Sequence, residues 1–223
     1  WSRTAVGAPP RAMVLVDSEV PYHPVIFQRG NPNREGRAVP RRIPEILAGR
    51  GRPEFTDGSG RLELAKAIVD PANPFTARVF VNRIWNQHFG TGLVDTPSDF
   101  GLRSSAPTHP ELLDWLAAEF VDGGWSVKKL HRLIMNSAAY RQSTEQMPDL
   151  VQQAVKVDAA NRLLWKFPRR RLEFEATRDS MLAVSGSLDR KLGGPASNVL
   201  KGFVPRRTVY GFVNRMDLPG LMR

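Results

Sequence analysis

A helix predicted over residues 74–89 constrains the fold of this chain more than any other segment. Asn73 can cap its first turn, Pro74 suits its first position, and Gly90 follows its last residue. At 100° per residue, the apolar side chains of this helix cover much of its circumference. A helix with this pattern is predicted to lie mostly inside the domain.

Two polar stripes interrupt the apolar surface of this helix. The first is narrow, is predicted to face solvent, and consists of Thr76, Arg83 and Gln87. The second has apolar residues on both sides and consists of Arg78, Asn82 and Asn86. Leaving a buried charge unpaired costs several kcal/mol, so this second stripe is predicted to find partners elsewhere in the fold.

Capping residues and glycines predict further helices after residue 59. They cover residues 61–69 after Ser59, a segment from the capping box at 108–111 to Gly123, residues 127–141 after Ser126, and residues 159–166 and 169–185. A polar stretch, 142–149, separates two of these helices. Short apolar runs at 12–16, 25–27 and 208–213 are typical of strands or extended segments.

This pattern predicts a mainly α, compact helical domain with little regular strand at its C-terminus. Residues 1–58 are interpreted as a Pro- and Gly-rich lead-in with short strands, packed on the body, and a wholly extended linker is the alternative. Residues 59–223 form the helical body. The chain begins at Trp1 and ends at Arg223 with no closing element, so we expect a piece of a longer protein, truncated at its C-terminus.

The composition excludes several classes of site. The chain has no cysteine, which rules out disulfides, thiolate zinc sites, a cysteine nucleophile and covalent haem attachment within it. Lys and Arg number 32 against 22 Asp and Glu, a net charge of +10 that suits polyanions or internal ion pairs. Nucleic acid is not expected as a partner, because no known nucleic-acid motif is present. No apolar run approaches the ~20 residues of a membrane span.

Two carboxylates on the predicted helix 169–185 are candidates for a buried site. Glu175 and Asp179 lie one turn apart on the arc that also holds Leu172 and Leu182, so they need counter-charges. The simplest solution is a network in which Arg78 pairs with Glu175 or Asp179, assisted by Asn82. On the helix 127–141, His131 and Arg141 lie on the apolar side.

Two interpretations of these residues remain open. The carboxylates can act as general acid and base, or hold a divalent cation with His131 or His109. Alternatively, the set is a structural network of ion pairs and hydrogen bonds. The histidines lack metal-ligand spacing, so no metal site is predicted. Asp99, in the loop 95–101, is a secondary candidate with His109, although capping of the next segment explains Asp99 as well.

Several motifs resemble those of a planctomycete-type family, the domain of unknown function 1553. They are NPFTARVFVNRIW (73–85), GLVDTPSDFG (92–101), PTHPELLDWL (107–116), GWSVKKLHRLI (124–134), YRQS (140–143), NRLLW (161–165), RRRL (169–172) and GSGRLELA (58–65). The resemblance covers nearly the whole chain. It implies no established reaction, so it assigns no catalytic residue.

The resemblance implies an exported protein of the periplasm or cell envelope, in which a cytochrome-c-like domain precedes this one. Haem c is thereby expected only on that separate domain, and this chain is expected to hold no cofactor. The leading hypothesis is an accessory, scaffold or ligand-binding domain whose partners are other domains of the same polypeptide. The alternative is an enzyme acting on complex, possibly sulfated carbohydrate, and an anionic polysaccharide would suit the net charge of +10.

Overall fold

The computed structural model describes residues 14–199 and 201–213, and the fold over these residues is mainly α, as predicted. A two-stranded antiparallel sheet comes first, with β1 at Val25–Phe27 and β2 at Glu35–Ala38. The helices are α1 (Glu45–Ala48), α2 (Arg61–Ile68), α3 (Thr76–Phe89), α4 (Pro110–Asp122), α5 (Val127–Met135), α6 (Pro148–Val157) and α7 (Phe174–Val184). Two short 3-10 helices lie at Gln28–Gly30 and Thr208–Tyr210.

The described residues form two compact units, one up to Phe167 and one from Pro168. The division that the sequence suggests after residue 58 stays a prediction. Residues 214–223 lie outside the described residues.

The hydrophobic core of the first unit lies among α3, α4 and α5. In α3 the buried apolar residues recur every four positions, which places one face of the helix inward. The core side chains from the three helices include Val81, Trp85, Leu113, Leu116, Leu130 and Ile134. The predicted burial of α3 is therefore correct for this face, and Arg83 and Gln87 are exposed as predicted.

The lead-in is joined to the start of α2 by Asp17. Its carboxylate accepts hydrogen bonds from the Ser59 amide (2.7 Å) and hydroxyl (2.5 Å) and pairs with Arg61. The Ser59 hydroxyl and amide, followed by Arg61, lower the pKa of Asp17 from 3.8 to about 2. This contact spans 42 residues of sequence and holds an exposed segment against the helix.

Two of the predicted helix boundaries are confirmed by their caps. The Ser126 hydroxyl accepts the Lys129 amide at the start of α5. Gly90 ends α3 with φ 85°, and its amide donates to the Asn86 carbonyl. The predicted capping box at 108–111 is wrong, because His109 occupies the cap position of α4. The Thr108 amide, which the box would bond to the Glu111 side chain, donates to the Leu93 carbonyl.

Other predicted elements differ from the structure. The helix predicted over 127–141 ends at Met135, and the one predicted over 159–166 is a series of turns. A helix, α6, begins instead at Pro148 inside the stretch read as polar. The last helix starts at Phe174, and residues 208–213 contain a 3-10 turn rather than a strand. Residues 14–16 form no strand, and residues 12 and 13 lie outside the described residues.

Candidate functional site

Asn82 is the buried centre of the predicted polar stripe. Its side chain is 0% exposed, its amide nitrogen donates to the Val94 carbonyl, and its oxygen accepts the Val94 amide, both at 2.9 Å. Gly92 leaves room for this pair, since a Cβ there would lie 2.7 Å from both polar atoms of the Asn82 side chain. Asn82 therefore fixes the loop after α3 to the helix.

Arg78 has a different partner from the one predicted. Its guanidinium pairs with Asp114 of α4 at 2.6 Å and donates to the Pro74 carbonyl at 2.6 Å. The side chains of Arg78 and Asp114 are 36% and 59% exposed, so water screens the pair. Asn86, one turn beyond Asn82, is half-buried. Along this stripe, the ion pair of Arg78 is exposed to water, whereas the amide of Asn82 is fully buried.

His131 and His88 form a pair between α5 and α3. Their Nδ1 and Nε2 atoms are 2.8 Å apart, and the ring of Tyr140 lies edge-on to His88 with centroids 5.3 Å apart. One imidazole donates and the other accepts, so two neutral rings carry the same tautomer: both are Nε2–H if His88 donates, and both are Nδ1–H if His131 donates. Arg141, predicted on the same apolar face as His131, is exposed, because α5 ends before it.

The two secondary candidates have local roles. Asp99 accepts the Gly101 amide at 2.8 Å, so it closes a turn. His109 is half-buried and its Nδ1 lies 3.0 Å from the Thr108 hydroxyl. No group of three or more His, Asp or Glu able to hold a metal ion occurs in the described part of the chain.

In the second unit, Asp179 is tied to the 3-10 helix at Thr208–Tyr210. One carboxylate oxygen accepts the Thr208 amide at 2.7 Å and its hydroxyl at 2.6 Å. Glu175 and Leu172 are both exposed, and Leu182 is the buried residue of α7. The prediction that both carboxylates lie on a buried apolar arc is therefore wrong for Glu175.

An apolar groove on the first unit was not predicted as a site. We define it by Phe75, Val79, Phe80, Phe120, Trp125 and Val127. The groove has a volume of about 630 Å³, and Leu47, Asn73, Thr76 and Arg83 also line it. Its floor is aromatic. Phe80 and Phe120 stack with centroids 4.9 Å apart, and Trp125 meets Phe120 edge-on at 5.2 Å.

The end of α4 places Trp125 in this groove. Its amide donates to the Phe120 carbonyl, and the Gly124 amide donates to the Val121 carbonyl, which is the Schellman pattern. The pattern needs one left-handed residue, and Gly124 supplies it with φ 72°. Trp125 is left-handed as well, with φ 59°, a conformation that is unfavourable for a side chain of this size. The paired glycines at 123 and 124 predicted the end of the helix. The structure adds that this helix end places the Trp125 ring in the groove.

A smaller pocket lies within the second unit. It encloses about 360 Å³ and is lined by Asp179, Leu188, Arg190 and Arg207. Arg190 and Arg207 are both exposed. Neither arginine was predicted as a site residue, because no helical periodicity extends to these loops.

Across the described ranges, no helix has the length and apolarity required to cross a membrane. No curated protein and no solved structure matches the chain. Residues 60–223 match the family model of PSD1, described as a protein of unknown function (DUF1553). This match covers well over half of the chain and confirms the resemblance to the domain of unknown function 1553. The chain therefore belongs to the PSD1 (DUF1553) family.

Proposed function

We propose that this chain is an accessory docking domain of an exported multi-domain protein, and that its apolar groove binds another domain of the same polypeptide. The groove is the observation that carries the proposal. Phe75 and Val127 in it are 39% and 38% exposed, although the core beside them is tightly closed. Contiguous apolar patches on a domain surface mark interaction sites.

The charge and size of the groove indicate which kind of partner segment would fit it. Arg83 is the one charged residue that lines it, and this side chain is exposed and makes no ion pair with any described residue. A partner segment that fits would present apolar side chains with a carboxylate beside them. The enclosed 630 Å³ is enough for a few large side chains, not for a whole interface core.

A small groove suits a tethered partner. Linking two modules makes the second contact intramolecular, with an effective concentration in the millimolar range for a short flexible linker. A modest apolar site can then stay occupied without high intrinsic affinity. The motif resemblance supports this context, since it implies a cytochrome-c-like domain in the same exported chain, with haem c on that domain and none here.

The alternative, an enzyme acting on complex and possibly sulfated carbohydrate, has weaker support. Glu175 and Asp179 were its candidate acid and base. Glu175 is exposed, and Asp179 uses one oxygen to hold the amide and hydroxyl of Thr208. A carboxylate that fixes the backbone in this way is more suited to a structural role than to proton transfer with a substrate.

Photo-crosslinking in the full-length polypeptide tests the docking proposal. A benzophenone amino acid at Val127 should crosslink to residues outside this chain, and mass spectrometry of the peptides identifies the domain. Leu102, which is fully exposed and does not line the groove, is the control position. Crosslinks from Val127 that stay within residues 1–223, or that match those from Leu102, would overturn the proposal.

A charge reversal gives a second, independent test. Arg83→Glu should weaken the crosslink from Val127 severalfold, because it repels the expected carboxylate of the partner. Lys128→Glu makes the same charge change at an exposed residue that does not line the groove, and should leave the crosslink unchanged. Equal effects of the two variants would refute the proposed charge complementarity.

A further inference from the structure

Two exposed arginines of the second unit, Arg190 and Arg207, both line the pocket of about 360 Å³. A parallel bridge pairs Asp189 with Arg206, and the Asp189 amide donates to the Pro205 carbonyl at 2.9 Å. In a parallel pair, the residues that follow the two partners lie next to each other on the same face. These residues are Arg190 and Arg207, so the bridge places their backbone positions next to each other, and both side chains line the pocket.

The backbone that carries Arg207 is held in place by two other arginines. Arg178 donates to the carbonyls of Val204 and Arg206, and to the Thr208 hydroxyl at 3.0 Å. Arg206 donates to the carbonyls of Gly193 and Pro195, and its guanidinium lies over the ring of Tyr210, 4.4 Å from the centroid. These contacts fix the segment before a ligand arrives, which lowers the entropy cost of binding.

The pocket holds more positive than negative charge. Asp179 is its one lining carboxylate, and its second oxygen lies 3.9 Å from Arg207 Nε, too far for a hydrogen bond. Arg190 has no ion pair or hydrogen bond from its side chain in the part of the chain that the structure describes. Two guanidiniums and one carboxylate leave an excess of one positive charge. Two like charges held together in this way favour an anionic ligand.

We propose that Arg190 and Arg207 form a binding site for a tetrahedral oxyanion, sulfate or phosphate, either free or as a monoester. The planar fork of each guanidinium matches two oxygens of such a group. Leu188 supplies one apolar wall, on which the group esterified to the oxyanion can rest. This site goes beyond the docking function, because its residues all belong to the second unit and the groove lies on the first.

Titration of the whole chain with sodium sulfate and sodium phosphate tests the site. The Arg Nε–H signals in ¹⁵N NMR spectra report binding, with sodium acetate as the comparison and sodium chloride keeping ionic strength constant. We expect saturable shifts of the Arg190 and Arg207 signals with sulfate or phosphate, and at least tenfold weaker binding of acetate. Absence of saturation with both tetrahedral anions would overturn the proposal, as would equal binding of acetate.

Single substitutions show which arginines bind the anion. Arg190→Gln and Arg207→Gln should each weaken binding about tenfold or more, since each removes a charged bidentate donor. Arg171→Gln makes the same change at an exposed arginine of the same unit that does not line the pocket, and should leave binding unchanged. The Thr208 amide signal shows whether each variant keeps its fold. Binding that survives both pocket substitutions would refute the site.

Asp179→Asn tests the site in the opposite direction, because this substitution should raise the affinity for the anion. The Asn oxygen can still accept the amide and hydroxyl of Thr208, so the backbone contact is retained while the negative charge is lost. Removing this charge should strengthen sulfate or phosphate binding severalfold. Weaker or unchanged binding, with the Thr208 amide signal in place, would contradict an oxyanion site.

Discussion

Asn82→Ala would remove both hydrogen-bond partners of a buried backbone unit at once. Val94 is 3% exposed, so its amide and carbonyl would be left without water after the substitution. Each buried group that loses its partner costs about 1–3 kcal/mol, and the missing side chain leaves a void. We therefore expect Asn82→Ala to lower the free energy of unfolding by about 3–5 kcal/mol.

Urea unfolding followed by tryptophan fluorescence measures this loss, since Trp85 lies in the core on the same helix. With a slope of about 2 kcal/mol/M, a loss of about 4 kcal/mol lowers the midpoint by about 2 M. Hydrogen exchange at the Val94 amide should accelerate in the same variant, because that amide loses its acceptor. A larger acceleration at the Val94 amide than at other buried amides separates the local contact from general destabilisation.

Asn86→Ala is the matched control for this experiment. It is the same substitution one turn along the same helix, at a half-buried residue. We expect it to cost less than about 1 kcal/mol. A loss below about 1 kcal/mol for Asn82→Ala, or an equal loss for the two variants, would refute the view that Asn82 fixes the loop.

Three further predictions use the same unfolding assay. Arg78→Ala should cost only about 0.5–1 kcal/mol, because the pair with Asp114 is largely exposed, and a loss above 2 kcal/mol would contradict this. Gly92→Ala should be destabilising, because the new Cβ would press against the Val94 carbonyl oxygen and lie 2.7 Å from both polar atoms of the Asn82 side chain. Combined with Asn82→Ala it should cost less than the sum of the two, because the contact with Asn82 is then removed. Asp17 has a folded pKa of about 2 against 3.8, so its contribution to stability is present above pH 3.8 and is lost as the pH falls toward 2. Wild type and Asp17→Asn should therefore converge in stability at the acid end, and a constant difference would refute the assignment.

Much of the fold followed from caps and periodicity, and the misses have local causes. Helix α5 stops early because the Ser137 hydroxyl donates to the Ile134 carbonyl and accepts the Tyr140 amide. Ser side chains can compete in this way with the hydrogen bonds of a helix, and the periodicity of apolar residues does not predict where they do so. In 159–166 the Asp158 carboxylate accepts two backbone amides, and Asn161 bonds both backbone groups of Lys166. These side chains replace the expected helix with turns.

Periodicity predicts which face a residue occupies, but not what it meets there. It placed Asn82 on a buried stripe correctly, while its partner Val94 lies in a loop whose path no helical pattern specifies. It led to the prediction that Arg78 pairs with Glu175 or Asp179, whereas the partner in the structure is Asp114 of α4. It gave no indication of Arg190 and Arg207, which come together through a backbone bridge between two irregular segments.

The length of a side chain explains why the stripe on α3 divides as it does. Arg78 is long enough to carry its charge from the helix to a partner that water also reaches, so it escapes the burial its position implies. Asn82 is too short to leave the core and must take the nearest backbone groups. A fully buried amide whose oxygen and nitrogen both bond to the backbone is not accessible to a ligand. At the groove and the pocket, the residues available for recognition are the exposed arginines: Arg83 at the groove, and Arg190 and Arg207 at the pocket, where Arg207 makes a long ion pair of 3.9 Å with Asp179.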